Sequence, residues 1–253
     1  MDDFIFRGRD IAEFGAVAAF GNAMKTGAKI TRSEYGLPGG GSVIIGGETY
    51  AATQRQVVIM PADGVTADAD WARAILTWLM AGRGEMIVHN DPDVVRIAQF
   101  DSEATYGTGS WPEGALVLAM TLQPLAYDAT PTSAGTDTSG KKATLAVHAG
   151  GEMEMPLRVV IRAKGGTLTG ATIATGGGTV ELAGLSVASG QKIIYDAGQI
   201  LGDVMTLSAA GAAAWAGVRK WARLAVRSGE TVSVSVTGAE ATVSVTVRGR
   251  YPA

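Results

Sequence analysis

Hydrophobic and polar residues alternate with a period of two along much of the chain, which is typical of strands with one buried face. The clearest case is Thr231–Val236 and Thr242–Val247, where every second residue is valine. Thr237–Glu240 between them predicts a hairpin with valines on one face and hydroxyls on the other. Further strands are predicted at residues 144–148, 157–163, 192–195 and 204–207, with glycine-rich turns between them. Seven or more such strands predict a two-sheet sandwich.

One helix interrupts the strands of the first half. Apolar residues spaced at i, i+4, i+7 and i+8 predict a buried helix face, and they are Trp71, Ile75, Trp78 and Leu79. Thr66 is a suitable N-cap, and glycines at 82 and 84 end the segment. We expect the helix to pack on a sheet whose strands are predicted at residues 42–45, 54–60, 85–89, 94–98 and 115–125.

A polar segment separates the two halves. Asp128–Lys142 reads DATPTSAGTDTSGKK and has almost no apolar side chain to bury. Such a run cannot offset the entropy lost on ordering, so it predicts a linker or a long exposed loop. The predicted organisation is therefore a first domain at 1–128, a linker at 129–142 and a second domain at 143–253.

Composition narrows the class of protein. The chain of 253 residues is 47% apolar and 18% charged, as globular chains are. It has no cysteine, which excludes disulfides and thiolate chemistry. The first residues, MDDFIFRGRD, lack the apolar stretch of a secretory signal. No run approaches the ~18 apolar residues of a membrane span, so no membrane insertion is expected.

Charge is distributed unevenly along the chain. Residues 1–128 hold 9 Lys and Arg against 16 Asp and Glu, a net charge of −7, whereas residues 129–253 hold 12 against 8, a net +4. Affinity for nucleic-acid phosphates depends on cations, so the first half is not expected to grip nucleic acid. A surface that is simply more acidic explains the difference equally well.

Motifs for catalysis, cofactors and metals have structural explanations here. Gly135–Lys142 matches most of the phosphate-loop pattern, but Lys142 stands where a magnesium-binding hydroxyl is required and a strand follows, so a polar linker explains it. His89 and His148 lie in different halves with no further ligands at close spacing. Asp91–Asp93 suits a solvated turn better than an acid–base pair or a calcium site. The sequence therefore predicts no catalytic, cofactor-binding or metal-binding residue and no enzyme activity.

An aromatic and basic segment late in the chain is the candidate recognition site. It contains Trp215 and Trp221 with Arg219 and Arg223. Aromatic faces stack on sugars, and cations meet phosphates or acidic glycans. The alternative is that one tryptophan caps the sandwich core while the charges are solvated. Because residues 209–223 are rich in alanine, they are predicted to form a short helix or a bent loop across one end of the sandwich.

The order of these segments resembles the distal tail protein of long-tailed, non-contractile bacteriophages. In the first half the resemblance runs from Phe4–Gly8 through the predicted helix to Glu85–Asp93 and to Gln123–Asp128, which ends the long strand. In the second half it covers Lys192–Gly198 and Trp221–Val232. It is a match of pattern and order over nearly the whole chain.

The resemblance implies a mainly β protein with two domains. The first would be a tube-type β-sandwich or split barrel with one flanking α-helix, and the second a galectin-like β-sandwich. Six copies would form a ring at the distal end of a phage tail, in the virion, after assembly in the host bacterial cytoplasm. The ring would join the tail tube protein to the tip or spike protein, and DNA would pass through its channel without specific binding.

A rival hypothesis is a carbohydrate-binding protein. It would use the second sandwich to recognise a host cell-wall glycan, with Trp215, Trp221, Arg219 and Arg223 as contacts. A glycan-degrading enzyme is disfavoured, because that chemistry needs two carboxylates flanking a cleft. The eight acids of residues 129–253 are scattered singly, apart from Glu152 and Glu154.

Overall fold

The chain forms two compact units. The first extends to Ala129 and includes Pro252, and the second is Thr130–Tyr251. The computed structural model describes residues 3–20, 29–31, 34–36, 42–44, 49–106, 114–151, 153–200 and 203–252. At residues 29–31, 34–36, 42–44, 49–50 and 102–106 only the backbone is described.

The first unit is built on an antiparallel sheet. Its strands are β1 (Phe4–Phe6), β2 (Arg9–Asp10), β3 (Ala16–Phe20), β4 (Lys29–Thr31), β5 (Glu34–Gly36), β6 (Ser42–Ile44), β7 (Thr49–Ala51), β8 (Thr53–Pro61), β9 (Gly84–Val88), β10 (Asp91–Tyr106) and β11 (Leu116–Asp128). The main sheet has the order β2-β1-β9-β10-β11-β8-β3, while β4 pairs with β7 and β5 with β6 in two small ribbons. A 3-10 turn, Ile11–Phe14, precedes β3, and helix α1, Ala69–Leu79, follows β8. Register shifts between β10 and β11 interrupt the ladder, as β-bulges do where a sheet bends.

The inner face of this sheet carries an aromatic core. Phe4 and Phe6 alternate with the partly exposed Ile5 along β1, so both phenylalanines are buried on one face. The Phe4 ring lies 5.8 Å from Phe100 and 6.0 Å from Trp78 between centroids. Burying one such side chain stabilises a fold by roughly 1.5–3 kcal/mol, so this cluster is a major source of stability for the first unit.

Helix α1 packs its predicted face on that core. Ile75, Trp78 and Leu79 are buried, whereas Trp71 is only half-buried. The Trp71 indole donates a hydrogen bond to the Phe14 carbonyl oxygen at 3.0 Å. The apolar spacing therefore predicted the buried side of the helix correctly.

The start of the helix differs from the prediction. The Asp68 carboxylate accepts hydrogen bonds from the backbone N–H groups of Asp70 and Trp71, at 3.0 and 2.8 Å. Asp68 is therefore the N-cap, and the assignment to Thr66 was wrong. A carboxylate is favoured there because it satisfies two free N–H groups and also interacts with the positive end of the helix dipole.

The second unit is a sandwich of two antiparallel sheets. Its strands are β12 (Thr132–Asp137), β13 (Lys142–Ala146), β14 (Met155–Lys164), β15 (Leu168–Thr175), β16 (Gly178–Val187), β17 (Lys192–Asp196), β18 (Thr206–Ala209), β19 (Ala212–Ala213), β20 (Val218–Lys220), β21 (Ala225–Val226), β22 (Thr231–Thr237) and β23 (Glu240–Val247). The last strand of the chain, β24 (Arg250–Pro252), belongs to neither sheet of the sandwich. One sheet has the order β12-β23-β14-β17-β18-β19, with β21 paired to β14, and the other has β13-β22-β15-β16-β20. Buried residues of both sheets form one apolar cluster. The prediction of a mainly β protein with a flanking helix is confirmed.

The two valine-rich strands near the C-terminus do not form the predicted hairpin. β22 pairs with β13 and β15, whereas β23 pairs with β12 and β14. The turn at Gly238 therefore carries the chain from one sheet to the other. The valines of both strands are buried in the shared core, as the alternation predicted. Alternation fixes which face of a strand is buried, but it does not fix the neighbouring strand.

The polar segment between the halves is not a linker. Thr132–Asp137 forms β12, which pairs with β23 from Thr132 opposite Val247 to Asp137 opposite Thr242. Lys142 then begins β13. The linker prediction for 129–142 was wrong because an edge strand gains backbone hydrogen bonds without needing apolar side chains. The same strand and turn account for the segment that matches a phosphate loop.

The alanine-rich segment follows a bent path and contains no α-helix. After β19 it makes a 3-10 turn at Trp215–Gly217 and then forms the short strand β20. β20 pairs with β16 at the edge of its sheet, through Glu181 opposite Lys220. The segment therefore closes one edge of the sandwich, as the bent-loop alternative described.

Candidate functional site

The two candidate tryptophans lie together on the second unit. Trp215 is 47% exposed, and its ring centroid lies 4.7 Å from that of Trp221. Trp221 is partly buried and packs edge-on against Tyr195, with 5.6 Å between centroids. One tryptophan therefore caps the core while the other offers an exposed aromatic surface.

Tyr195 anchors this aromatic cluster to the backbone. It is fully buried, and its hydroxyl donates to the Ala222 carbonyl oxygen at 2.9 Å while accepting from the Leu224 N–H at 2.7 Å. Burial raises the pKa of the Tyr195 phenol above its usual value, and the Asp196 charge raises it further. The Leu224 hydrogen bond and the Arg223 charge oppose this rise. The hydroxyl therefore holds the 222–224 segment on the sandwich.

The two candidate arginines line different cavities. Arg219 is exposed and borders a groove of 330 Å³ whose other lining residues are mostly small, among them Gly184, Ala213 and Ala216. Arg223 lines a cavity of 220 Å³ and binds the carbonyl oxygens of Ala197 and Gly198. The structure therefore brings the tryptophans together and gives the arginines separate surroundings.

Sequence reasoning missed Arg250, which lines the same 220 Å³ cavity as Arg223. Its guanidinium Nη1 donates to the Glu154 carbonyl oxygen at 2.9 Å. No local pattern links residues 223 and 250, because β22 and β23 lie between them in the chain. Only the pairing of strands places them on one cavity.

A second feature is an apolar groove along helix α1. Its volume is 660 Å³, and its lining residues recur every three or four positions along the helix, at Ala69, Ala72, Arg73, Leu76, Thr77 and Met80. Leu76 and Met80 are partly buried and touch the core of the first unit. This stripe adds a second apolar flank to the helix beside the core-facing one.

The remaining sequence candidates have structural partners. His89 Nε2 lies 2.9 Å from Asp10 Oδ2 at the surface of the first unit. Asp91 is not a freely solvated turn residue, because its Oδ2 accepts a hydrogen bond at 2.6 Å from Nη2 of the buried Arg96. His148 is exposed in the second unit, close to Gly229. In the part of the chain that the structure describes, no three His, Cys, Asp or Glu side chains are grouped to hold a metal ion.

Comparison with known proteins rests on structure. No protein-family model matches the chain, and neither does any curated protein. The crystal structure of the SPP1 Dit (gp 19.1) protein, a paradigm of the hub adsorption apparatus in phages that infect Gram-positive bacteria, matches with a TM-score of 0.64. The match covers 98% of this chain and 99% of that chain at 12% sequence identity. Over this part of its length the chain has the fold of the SPP1 Dit hub protein.

The hub-protein fold is also found in the phage P2 baseplate. A chain of that baseplate in its activated conformation with Ca matches with a TM-score of 0.53 and 9% identity, over 98% of this chain and 97% of that chain. The form with Sr matches with a TM-score of 0.54, also at 9% identity, over 98% of both chains. At these identities the fold is what the chains share. Among the described residues no helix is long and apolar enough to span a membrane.

Proposed function

We propose that this protein is a structural component of a bacteriophage virion, located at the distal end of the tail. The observation that carries the proposal is the hub-protein fold, which extends over 98% of this chain and 99% of the SPP1 Dit protein. A fold alone does not establish a function, because one fold can serve several functions. The resemblance of the sequence to distal tail proteins, in both halves of the chain, is therefore a needed second support for the proposal.

In this proposal six copies form a ring. A heterologous interface whose rotation closes produces such rings. The ring joins the tail tube protein on one side to the tip or spike protein on the other, and DNA passes through its channel without specific binding. The charge of residues 1–128 supports this arrangement, since six copies at −7 each bring −42 before screening. An acidic lumen would repel the genome and let it slide.

The proposed role involves no catalysis. The residues weighed as acid–base or metal-binding candidates form contacts within the fold. Asp91 binds Arg96, and His89 contacts Asp10. Arg223 likewise binds backbone carbonyl oxygens of its own unit.

Electron microscopy and immunolabelling test the proposal together. Gold-labelled antibody against the protein should bind purified virions at the distal end of the tail. Negative-stain images of the purified protein, alone or mixed with the tail tube protein, should show six-fold rings with a central hole. Light scattering should give about six times the chain mass of 25.9 kDa for these rings.

Two outcomes would contradict the proposal at different levels. Labelling confined to the capsid, or absence of the protein from purified virions, would exclude a tail role. A tail-tip location with only monomers, even in the presence of the tail tube protein, would exclude the ring but leave the location standing.

A second candidate function is recognition of a host cell-wall glycan by the second unit. The observation that favours it is the exposed ring of Trp215, which lies 4.7 Å from the ring of Trp221 between centroids, with the exposed Arg219 on the same short segment. Aromatic platforms of this kind bind sugar faces. Arg223 contributes less here, because two of its donor groups are occupied by backbone oxygens.

Tryptophan fluorescence tests the glycan hypothesis. Titration with cell-wall polysaccharide should shift the emission of the wild-type protein and leave Trp215→Ala unshifted. If both proteins shift equally, the sugar binds elsewhere. If neither shifts at about millimolar sugar, glycan binding at this surface is excluded.

A further inference from the structure

Two arginines of the second unit meet at one cavity. The cavity has a volume of 220 Å³, and its wall includes Arg223, Arg250, Gln199 and Glu154. This is several times the roughly 30 Å³ share of one water molecule. It is smaller than the ~300 Å³ at which pockets for drug-sized ligands begin. The cavity therefore suits a small ion or one chemical group of a larger molecule.

Backbone oxygens hold both guanidiniums in place. Arg223 donates from Nε to the Ala197 oxygen at 2.9 Å and from Nη2 to the Gly198 oxygen at 3.2 Å. Arg250 donates from Nη1 to the Glu154 carbonyl oxygen at 2.9 Å. Carbonyl acceptors fix the orientation of a guanidinium without neutralising its charge. Both cations are therefore positioned at the cavity wall before any ligand arrives.

Neither arginine is paired with a carboxylate of the described residues. Arg158 differs, because its Nε lies 3.6 Å from Asp196 Oδ2. Within the described part of the chain, Nε of Arg250 is buried and has no hydrogen-bond partner. Donor groups that are oriented, charged and unused are the usual components of an oxyanion site.

The turn that carries Gln199 is also fixed. Gly198 has a φ of +76°, and its N–H donates to Asp196 Oδ1 at 2.9 Å. The Ile200 N–H donates to Asp203 Oδ2 at 3.1 Å, and Gln199 Nε2 donates to the Thr246 carbonyl oxygen at 2.9 Å. This part of the cavity wall is therefore preorganised, which lowers the entropy lost when a ligand binds.

We propose that this cavity is an oxyanion site that binds a phosphate group through Arg223 and Arg250. The planar guanidinium fork matches two oxygens of a phosphate, and two forks can hold one group from two sides. Glu154 is the acidic residue of the described wall, so its charge weakens the site. The inference does not depend on the proposed ring, because all of these residues belong to the second unit.

Titration of the full-length protein with inorganic phosphate, followed by calorimetry and by ³¹P NMR, tests the site. Chloride at matched ionic strength separates specific binding from general screening. Saturable binding is expected with a Kd of about 1 mM or below. Arg250→Gln and Arg223→Lys should each weaken it at least about tenfold, the second because lysine keeps the charge but loses the fork.

Two further variants make the result specific. Arg162→Gln removes the same charge from an exposed position on β14, outside the described cavity wall, and should leave the Kd within about twofold. Glu154→Gln removes the opposing charge and should tighten binding several-fold. Melting curves in chloride will show whether each arginine variant folds. If one does not, the tighter phosphate binding expected of Glu154→Gln still tests the site.

Dimethyl phosphate distinguishes the two sources of a phosphate group. Equal binding of dimethyl phosphate supports a site for a phosphodiester within a polymer, and binding of inorganic phosphate alone supports a site for the free ion. No saturable binding of either at about 10 mM overturns the proposal, as does equal weakening by Arg162→Gln and Arg250→Gln. A tail-tip ring without phosphate binding would overturn this site while leaving the proposed function intact.

Discussion

In each of the two units, one buried aromatic residue forms hydrogen bonds with the backbone beside it. Trp78 is 8% exposed, and its indole N–H donates to the Phe6 carbonyl oxygen at 3.1 Å. Tyr195 is fully buried, and its hydroxyl serves both Ala222 and Leu224. A polar atom left unpaired in a core is costly. Each residue therefore stabilises the folded state both by burying apolar area and by forming hydrogen bonds.

Replacing Trp78 with alanine should lower the free energy of unfolding by about 3–5 kcal/mol. Trp78→Phe should cost less, because it keeps a ring in the core and loses only the bond to Phe6 with part of the volume. Urea denaturation measures both. Arg73→Ala, on the exposed side of the same helix, is the control and should change stability by about 0.5 kcal/mol at most. Near-unchanged stability of Trp78→Ala would show that this face is not core.

Replacing Tyr195 with phenylalanine should cost about 1–3 kcal/mol, because the Leu224 N–H and the Ala222 oxygen lose their partner. The pH dependence gives a second readout. Burial raises the pKa of Tyr195 above 10.0 in the folded protein, so the folded state holds this proton more firmly than the unfolded state. Stability from this group is therefore constant below about pH 10 and falls as pH rises through the folded pKa.

Unfolding measured between about pH 8 and pH 11 compares Tyr195→Phe with the wild type. The wild type should lose stability at the alkaline end, and the variant should lose less. Parallel decline of the two proteins would mean that Tyr195 does not titrate differently in the folded state.

Among the secondary-structure elements, helix α1 has two residues that could serve as its N-cap, Thr66 and Asp68, and the structure assigns the cap to Asp68. Asp68→Ala should lower the free energy of unfolding by about 0.5–2 kcal/mol, because two N–H groups lose their acceptor. Thr66→Ala is the matched control, since Thr66 is exposed and contributes only its backbone oxygen to Asp68. Thermal or urea unfolding measures the pair. Equal losses of stability in the two variants would contradict the assignment of the cap to Asp68.

The crossing between β22 and β23 depends on one glycine. Gly238 has a φ of +95°, and a Cβ there would lie 2.2 Å from the Thr167 carbonyl oxygen. Gly238→Ala should therefore combine backbone strain with a clash and cost more than about 2 kcal/mol. Gly211 has a φ of +85° with open space around it, so Gly211→Ala carries the strain alone, about 1 kcal/mol. Similar losses in the two variants would show that the crossing relaxes around the added methyl group.

At the scale of the whole molecule, the proposed ring brings six acidic first units together. Residues 1–128 carry −7 in each copy. Raising salt shortens the Debye length from about 30 Å at 0.01 M to about 8 Å at 0.15 M. The fraction of protein in rings, measured by sedimentation at fixed concentration, should therefore increase with salt. A fraction that falls with salt would mean that ion pairs between copies outweigh this repulsion.

The amino-acid sequence was sufficient to predict the features that depend on local period. Alternation placed the valines of residues 231–247 in a core, and the i, i+4, i+7 spacing placed Trp78 against a sheet, because these periods decide which face of an element is apolar. It also indicated the order of segments that resembles distal tail proteins. It placed Trp215 and Trp221 in one candidate site and offered one of them as a cap on the core, but it did not indicate which of the two is buried.

The pairing of elements and the meeting of distant residues depend instead on long-range contacts in the folded protein. β12 formed in a polar segment because backbone hydrogen bonds to β23 are available to almost any sequence. β22 and β23 entered different sheets because a strand's pattern does not specify its neighbour. Arg223 and Arg250 share a cavity because long-range packing brings β21 and β24 onto it. Local patterns encode burial, whereas strand pairing and sites depend on contacts between residues far apart in the chain.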